Sequence, residues 1–134
     1  MTRLWMLDTT TVSYAIRDMH GPVGRRLRST SAGECCLSIV SLAELRFGAA
    51  KVGSARLSRQ IDGFVAVAPA LPFDHPAEVT YAAVRVDLEG RGRPIGPLDL
   101  LIASHALSLD LTLVTANVGE FSRVPGLKVE NWLD

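Results

Sequence analysis

The chain has 134 residues, 48% of them hydrophobic and 21% charged, with 14 Lys and Arg balanced by 14 Asp and Glu. That length corresponds to a single domain over residues 1–134, and the apolar content supplies a core rather than a disordered tail. A formal net charge of zero excludes a generally basic nucleic-acid coat protein, though not a basic patch beside an acidic pocket.

No apolar run reaches the roughly 18–20 residues needed to span a bilayer, and Asp8 interrupts the start too early for the apolar core of a signal peptide. The expectation is a soluble, cytoplasmic protein with no membrane partner. Cys35 and Cys36 are adjacent in the apolar stretch GECCLSIV, with no second pair to build a disulfide framework or a zinc knuckle, and read as small buried strand residues.

In chain order, Leu4–Leu7 reads as a strand that stops at Asp8. Thr9–Thr11 open a helix carrying Val12, Tyr14, Ala15 and Ile16, which ends before the turn at His20, Gly21 and Pro22. Pro22–Ser29 reads as a basic helix and Glu34–Ser38 as a second short strand. A helix over Val40–Lys51 sets Ala43, Phe47 and Ala50 along one face, and Ala55–Val67 continues helically around Ile61 and Phe64 until Pro69. After an extended piece at Leu71–Phe73, His75–Glu89 has helical periodicity in Val79, Ala82, Ala83 and Val86.

GRGRP (90–94) is a flexible basic connection; no apolar strand precedes it, and its spacing is not that of a phosphate-cradling loop. Pro97 begins a helix through Leu109 with Leu101, Ile102 and Leu109 as core candidates. Leu111–Thr115 is a continuous apolar strand, Gly119–Phe121 a turn, and Leu127–Val129 a last edge strand. Short strands alternating with helices predict an α/β domain with a mainly parallel sheet. Ligand sites in such sheets lie outside the carboxyl ends of the strands, where Asp8 and the Thr115–Asn117 turn both fall.

Four polar positions stand out against apolar neighbours. Asp8 follows LWML, Glu44 sits inside SIVSLAELRFG, Asp99 lies in GPLDLLIASHA just after Pro97, and Asn117 follows LTLVT. A carboxylate in an apolar stretch is costly unless it is paired or binds a metal. Three from distant segments point to a hard-cation site, and oxygen ligands select Mg²⁺ or Mn²⁺ over zinc. Other readings remain open at this level: Asp8 fits a helix N-cap, Asp99 fits the positive end of a helix dipole, Glu44 fits an ion pair with Arg46, and Asn117 fits a turn. His105 is offset from Asp99 around its helix and reads as a packing or hydrogen-bonding residue, while His20 and His75 read as turn or cap residues.

The blocks LDTTTVSYAIR (7–17), SIVSLAELRFGA (38–49), GRPIGPLDLLIASHAL (92–107) and LVTANVGEFSRVPGLKVENW (113–132) resemble the PIN-domain ribonucleases of the VapC toxin family, in order and over nearly the whole chain. The resemblance implies an α/β/α sandwich around a small parallel sheet. It further implies Mg²⁺-dependent endonucleolytic cleavage of RNA (Mn²⁺ substituting), with transfer or ribosomal RNA as substrate. The implied partner is a VapB-type antitoxin, in a complex built on a homodimer, such as a heterotetramer or larger. Carried onto this chain, it places metal-binding and catalytic roles on Asp8, Glu44 and Asp99, with Asn117 completing the pocket and Thr115 supporting it. Glu120 is a further carboxylate within reach of the loop.

Two positions depart from the family pattern. Thr10 stands where the first block usually has Asn, which weakens the expected support around Asp8. Leu98 replaces a residue that is commonly polar or aromatic. Thr10 supports the alternative of a catalytically weakened PIN-like domain that binds RNA or a protein without cutting; the three retained carboxylates oppose it. A haloacid-dehalogenase-type phosphatase would need a second Asp where Thr10 stands, and a receiver-like domain would need a better-placed Lys than Lys128. For an RNA substrate, Arg17, Arg25, Arg26, Arg28, Arg46 and Arg93 are the candidate phosphate contacts. Charge complementarity also lets an antitoxin Arg reach the acidic pocket and displace the cation.

Overall fold

A computed structural model describes residues 2–133. Its strands are β1 (Trp5–Leu7), β2 (Cys35–Ser38), β3 (Ala70–Leu71), β4 (Thr112–Val114) and β5 (Val129–Glu130). The helices are α1 (Thr9–Arg17), α2 (Pro22–Ser29), α3 (Ile39–Val52), α4 (Ala55–Val67), α5 (Ala77–Gly90), α6 (Pro97–Ser108) and α7 (Val118–Phe121). The sheet runs in the order β3-β2-β1-β4-β5 with every pairing parallel. Because β1 lies between β2 and β4, the strand order reverses there, and the crevice at the carboxyl ends of β1 and β4 is the place where such sheets bind ligands.

Alternation along the strands builds the two layers. Leu7, Cys35, Leu37 and Val114 face α1–α4, meeting Val12, Ile16, Leu45, Ile61 and Phe64, with Trp132 sealing that side. Met6, Cys36 and Leu113 face the opposite layer, where α5 and α6 supply Val84, Leu88, Leu100, Ile102 and Ala103. This is the expected α/β/α sandwich, and both cysteines are free and buried in the strand, as their apolar context predicts. Among the described residues, no helix is long and apolar enough to cross a membrane.

The chain departs from its sequence pattern in three helices. The Ala43, Phe47 and Ala50 face of α3 points outward, with Phe47 66% exposed, and the buried face is Ser41, Leu45 and Ala49. On α5 the periodic set Val79, Ala82, Ala83 and Val86 also faces out, while Ala77, Val84 and Leu88 pack inward. Both helices carry two apolar stripes, so periodicity alone does not identify the one that meets the sheet. Leu109, a core candidate, follows the last turn of α6 and is exposed. The Gly119–Phe121 segment, expected as a turn, is the end of the one-turn helix α7, and the last strand pairs at Val129–Glu130 rather than over 127–129.

Candidate functional site

Asp8 leaves β1 directly into the N-cap of α1, where its Oδ1 accepts from the Thr11 backbone N–H at 2.9 Å. Its own backbone N–H donates to the Val114 carbonyl at 3.0 Å, tying it to the end of β4. The residue is 6% exposed, and because the cap uses Oδ1 alone, Oδ2 stays available. Thus the capping reading is correct, and the cap leaves one oxygen for a ligand. Thr10, by contrast, is exposed, and among the described residues its side chain makes no hydrogen bond. The hydroxyl that supports the acidic group is its neighbour: Thr9 Oγ1 donates to Glu44 Oε1 at 2.5 Å.

Glu44 lies on α3 and does not pair with Arg46, which instead holds Asp62 at 2.6 Å and the Ser58 carbonyl. Glu44 and Thr9 form a ridge between two open troughs. One, of about 740 Å³, is apolar and walled by Ile39, Phe47, Leu98 and Leu101. The other, of about 380 Å³, runs between α1, α3 and α4 past Ile16, Arg17 and Leu57.

Asp99 sits in the first turn of α6, after Pro97 at the helix start. Burial, the hydrogen bond and charge of Glu120, and the charges of Glu44 and Asp8 together push its carboxyl up to about 7. The same interactions show that four carboxylates, from β1–α1, α3, α6 and α7, share one electrostatic field. Glu120 is held in place from both sides: its Oε1 accepts from the Gly96 N–H at 3.1 Å and its Oε2 from Asn117 Nδ2 at 2.6 Å. Asn117 is anchored in turn by its N–H to the buried Thr115 Oγ1 at 2.9 Å. Gly96 borders both acids, since a Cβ there would lie 3.5 Å from Asp99 Oδ2 and 3.9 Å from Glu120 Oε1.

The structure therefore brings together Asp8, Glu44 and Asp99, and it places Asn117 and Thr115 one step back, as supports of Glu120. Glu120 is the member that sequence reasoning undervalued; the signal was a carboxylate three residues past Asn117, on the same loop as the pocket. The donor set is oxygen throughout, which suits a hard cation. None of the four carboxylates is in a salt bridge among the described residues. Among the described residues, no three of these acids are already gathered into a tight coordination shell. Glu44 and Glu120 instead spend oxygens on Thr9, Asn117 and Gly96.

Of the basic candidates, Arg26 pairs with Glu130 at 3.4 Å and stacks on Trp132, Arg25 bonds the His20 carbonyl, and Arg28 bonds the Met19 carbonyl. Arg17 lies over Tyr14 beside the second trough. Arg93 is exposed on the loop leading to Gly96, and its side chain makes no hydrogen bond among the described residues.

The family model for the PIN domain matches residues 5–127. The tRNA(fMet)-specific endonuclease VapC of Shigella flexneri is 39% identical over 129 residues, covering 96% of this chain and 97% of the relative. Its namesake in Salmonella typhimurium is 34% identical over the same span. The crystal structure of DNA-bound VapBC from Salmonella typhimurium superposes with a TM-score of 0.88 at 34% identity, covering 98% of this chain and 99% of that one. By sequence over almost its full length and by fold, the chain belongs to the PIN-domain family, among the VapC ribonucleases.

Proposed function

We propose that this chain is a Mg²⁺-dependent endoribonuclease (Mn²⁺ substituting) and the toxin half of a VapBC-type pair. The carrying observation is the convergence of Asp8, Glu44, Asp99 and Glu120 at the strand-order reversal, where none of them is in a salt bridge among the described residues. Asp8, Glu44 and Asp99 would hold the cation, with Glu120 beside Asp99 as a fourth carboxylate. When bound, such a cation activates water and neutralises charge on the phosphodiester oxygens. The chain's own residues set the terms for that. Burial and the neighbouring acids favour the protonated form of Asp99, so a cation must displace that proton to bind there. Asn117 and Gly96 keep Glu120 against Asp99, Thr9 orients Glu44, and the α1 cap fixes Asp8.

Structured RNA is the substrate class this reading favours, since the two VapC relatives carry names specifying a transfer RNA. Arg93, whose side chain makes no hydrogen bond among the described residues, is the basic candidate left to meet its backbone, since Arg17, Arg25, Arg26, Arg28 and Arg46 are all engaged in contacts within the chain. An antitoxin of VapB type fits the two apolar troughs that flank Glu44, and an Arg from it would meet uncompensated negative charge. The non-cutting alternative draws no support from Thr10, whose exposed side chain makes no hydrogen bond to a carboxylate among the described residues.

The test is cleavage of total RNA by purified, antitoxin-free protein with Mg²⁺ or Mn²⁺, alongside EDTA and the Asp8→Ala and Asp99→Ala variants. Discrete fragments that disappear in all three controls are expected. Fragments that persist in EDTA would refute the cation dependence, and intact RNA with no cation binding would refute the nuclease reading.

A further inference from the structure

We propose that His105 is a positioning residue for this site: bonded to Ser38, it fixes α6 against α3 and thereby sets the separation of Asp99 and Glu44. The inference rests on the reading of the acidic cluster as the reaction centre. It concerns residues that touch neither the carboxylates nor the substrate.

His105 and Ser38 are 2% and 0% exposed, and His105 Nδ1 lies 2.8 Å from Ser38 Oγ. Ser38 is the last residue of β2 and the N-cap of α3, where its Oγ already accepts from the Val40 N–H at 3.1 Å. Its hydroxyl proton is therefore free to be given to the imidazole. The Pro72 backbone also acts on the ring as a hydrogen-bonding neighbour, and a carbonyl there can only accept. These partners assign the tautomer: the ring donates toward Pro72, and Nδ1 accepts from Ser38. Burial holds the imidazole neutral, as that arrangement requires. Phe73 packs edge-on against the ring at 5.3 Å between centroids. One side chain of α6 is thus locked to the end of β2, the start of α3 and the segment after β3.

The placement along the two helices gives this lock its consequence. Glu44 lies six residues beyond Ser38 on α3, and Asp99 lies six residues before His105 on α6. Six residues of helix rise about 9 Å. The two helices accordingly meet at two levels, the buried bridge and, about 9 Å away on each, the carboxylate that the site needs. Between these levels, Val40 and Ala43 of α3 and Leu101 of α6 line the open 740 Å³ trough, and Val40 also packs onto the core cluster that holds Leu100, Ile102 and Ala103. The bridge adds a buried, directional polar contact to that apolar packing. A swing of about 10° about the bridge would move either carboxylate by roughly 1.5 Å, enough to alter both cation affinity and reaction geometry.

A merely structural histidine would affect melting and nothing else, so the test separates the two. His105→Phe keeps the ring and its contact with Phe73 but removes the acceptor. His105→Asn restores an acceptor near the Nδ1 position, and Ser38→Ala removes the donor. Each variant and the Ser38→Ala/His105→Phe pair is checked by circular dichroism and assayed well below its melting temperature. The readouts are Mn²⁺ affinity, by electron paramagnetic resonance without RNA, and kcat and KM for RNA cleavage.

His105→Phe and Ser38→Ala are expected to weaken Mn²⁺ binding about tenfold and to lower kcat about tenfold with KM unchanged, in line with the usual effect of supporting groups on a metal site. His105→Asn should recover most of both, and the double variant should be no worse than either single one. Folded His105→Phe with wild-type Mn²⁺ affinity and kcat overturns the inference while leaving the nuclease reading intact. Failure of His105→Asn to recover also overturns it, by showing that ring packing is what matters. Wild-type protein that neither binds Mn²⁺ nor cuts RNA overturns the reading of the site, and the inference with it.

Discussion

Removing the charge of Asp99 should make the isolated protein more stable while abolishing its activity. In the folded chain this carboxyl is raised from 3.8 to about 7, by burial and by the acids around it. Between those pH values the folded chain holds a proton that the unfolded chain has given up. Stability therefore falls as pH rises through that window, and the full cost stands above pH 7. The Asp99→Asn variant has an amide there, which cannot ionise and escapes the cost. For a fully buried group the displacement would correspond to about 4 kcal/mol. The carboxyl is only half-buried, so solvent screening reduces this to about 1–2 kcal/mol. Losing a negative charge at the N-terminus of α6 offsets about 0.5 kcal/mol.

The net expectation for Asp99→Asn at pH 8 in EDTA is a gain of about 1 kcal/mol, or about 3–5 °C in melting temperature for a chain of this size. At pH 5 the gain should shrink by about half, because much of the wild-type cost has not yet accumulated. Urea unfolding followed by far-UV circular dichroism at the two pH values measures both numbers. Mn²⁺ should then raise the stability of the wild type and leave the variant unmoved. A gain of equal size at both pH values, or a loss at pH 8, would refute the account of Asp99 as a crowded carboxylate.

The same proton competes with the cation: cleavage should rise with pH to a plateau as Asp99 gives up its proton, at lower pH the more cation is present, and Glu120→Gln should move that rise to lower pH at a fixed cation concentration. A pH–rate profile unshifted in Glu120→Gln would show that Glu120 does not control the proton. Gly24→Ala should be costly, because its Cβ would fall 2.0 Å from the Met19 carbonyl oxygen in the α1–α2 connection. The expected loss is about 1–3 kcal/mol in urea unfolding. Ser41 is buried on α3 with no partner for its hydroxyl among the described residues, so Ser41→Ala should leave stability unchanged or raise it by up to about 1 kcal/mol. A clear loss there would reveal a hydrogen bond, direct or through water, that the side chain makes in solution.

What the sequence made legible were the residues whose local surroundings are already anomalous. Asp8 ends an apolar strand, and Asp99 follows a helix-starting Pro inside an apolar helix, so each stands out within a window of a few residues. The sandwich was equally legible, since LTLVT and ECCLS are too short and too apolar for anything but buried strands. Glu120 was harder, because its neighbours Gly119 and Ser122 are ordinary for a surface turn. Only the folding of α7 against the start of α6 brings it to Asp99. The outward apolar faces of α3 and α5 were illegible for another reason. A stripe such as Ala43, Phe47 and Ala50 has the period of a core face, and nothing local says whether the sheet or something outside the chain will cover it.

Thr10 shows how a departure from a family pattern is settled by backbone rather than by side chains. A residue in that place matters if it holds Asp8, yet Asp8 is held by the Thr11 N–H on its Oδ1 and by its own N–H on the Val114 carbonyl. Both interactions draw on main-chain groups that any residue at position 10 leaves in place. The side chain with consequences is Thr9, whose hydroxyl makes a 2.5 Å hydrogen bond to Glu44. A hydroxyl donating to a carboxylate at that distance is among the stronger kinds of hydrogen bond, and it bridges α1 to α3 at the level of the site. Thr9→Val keeps the branched shape and removes the donor; it should weaken Mn²⁺ binding and cleavage by about tenfold. Thr10→Asn should change either by less than about twofold, since the group it alters supports none of the acids. Cation titration and RNA cleavage on the two variants decide the matter. If Thr10→Asn raises activity tenfold while Thr9→Val is silent, the support of the site runs through position 10 after all.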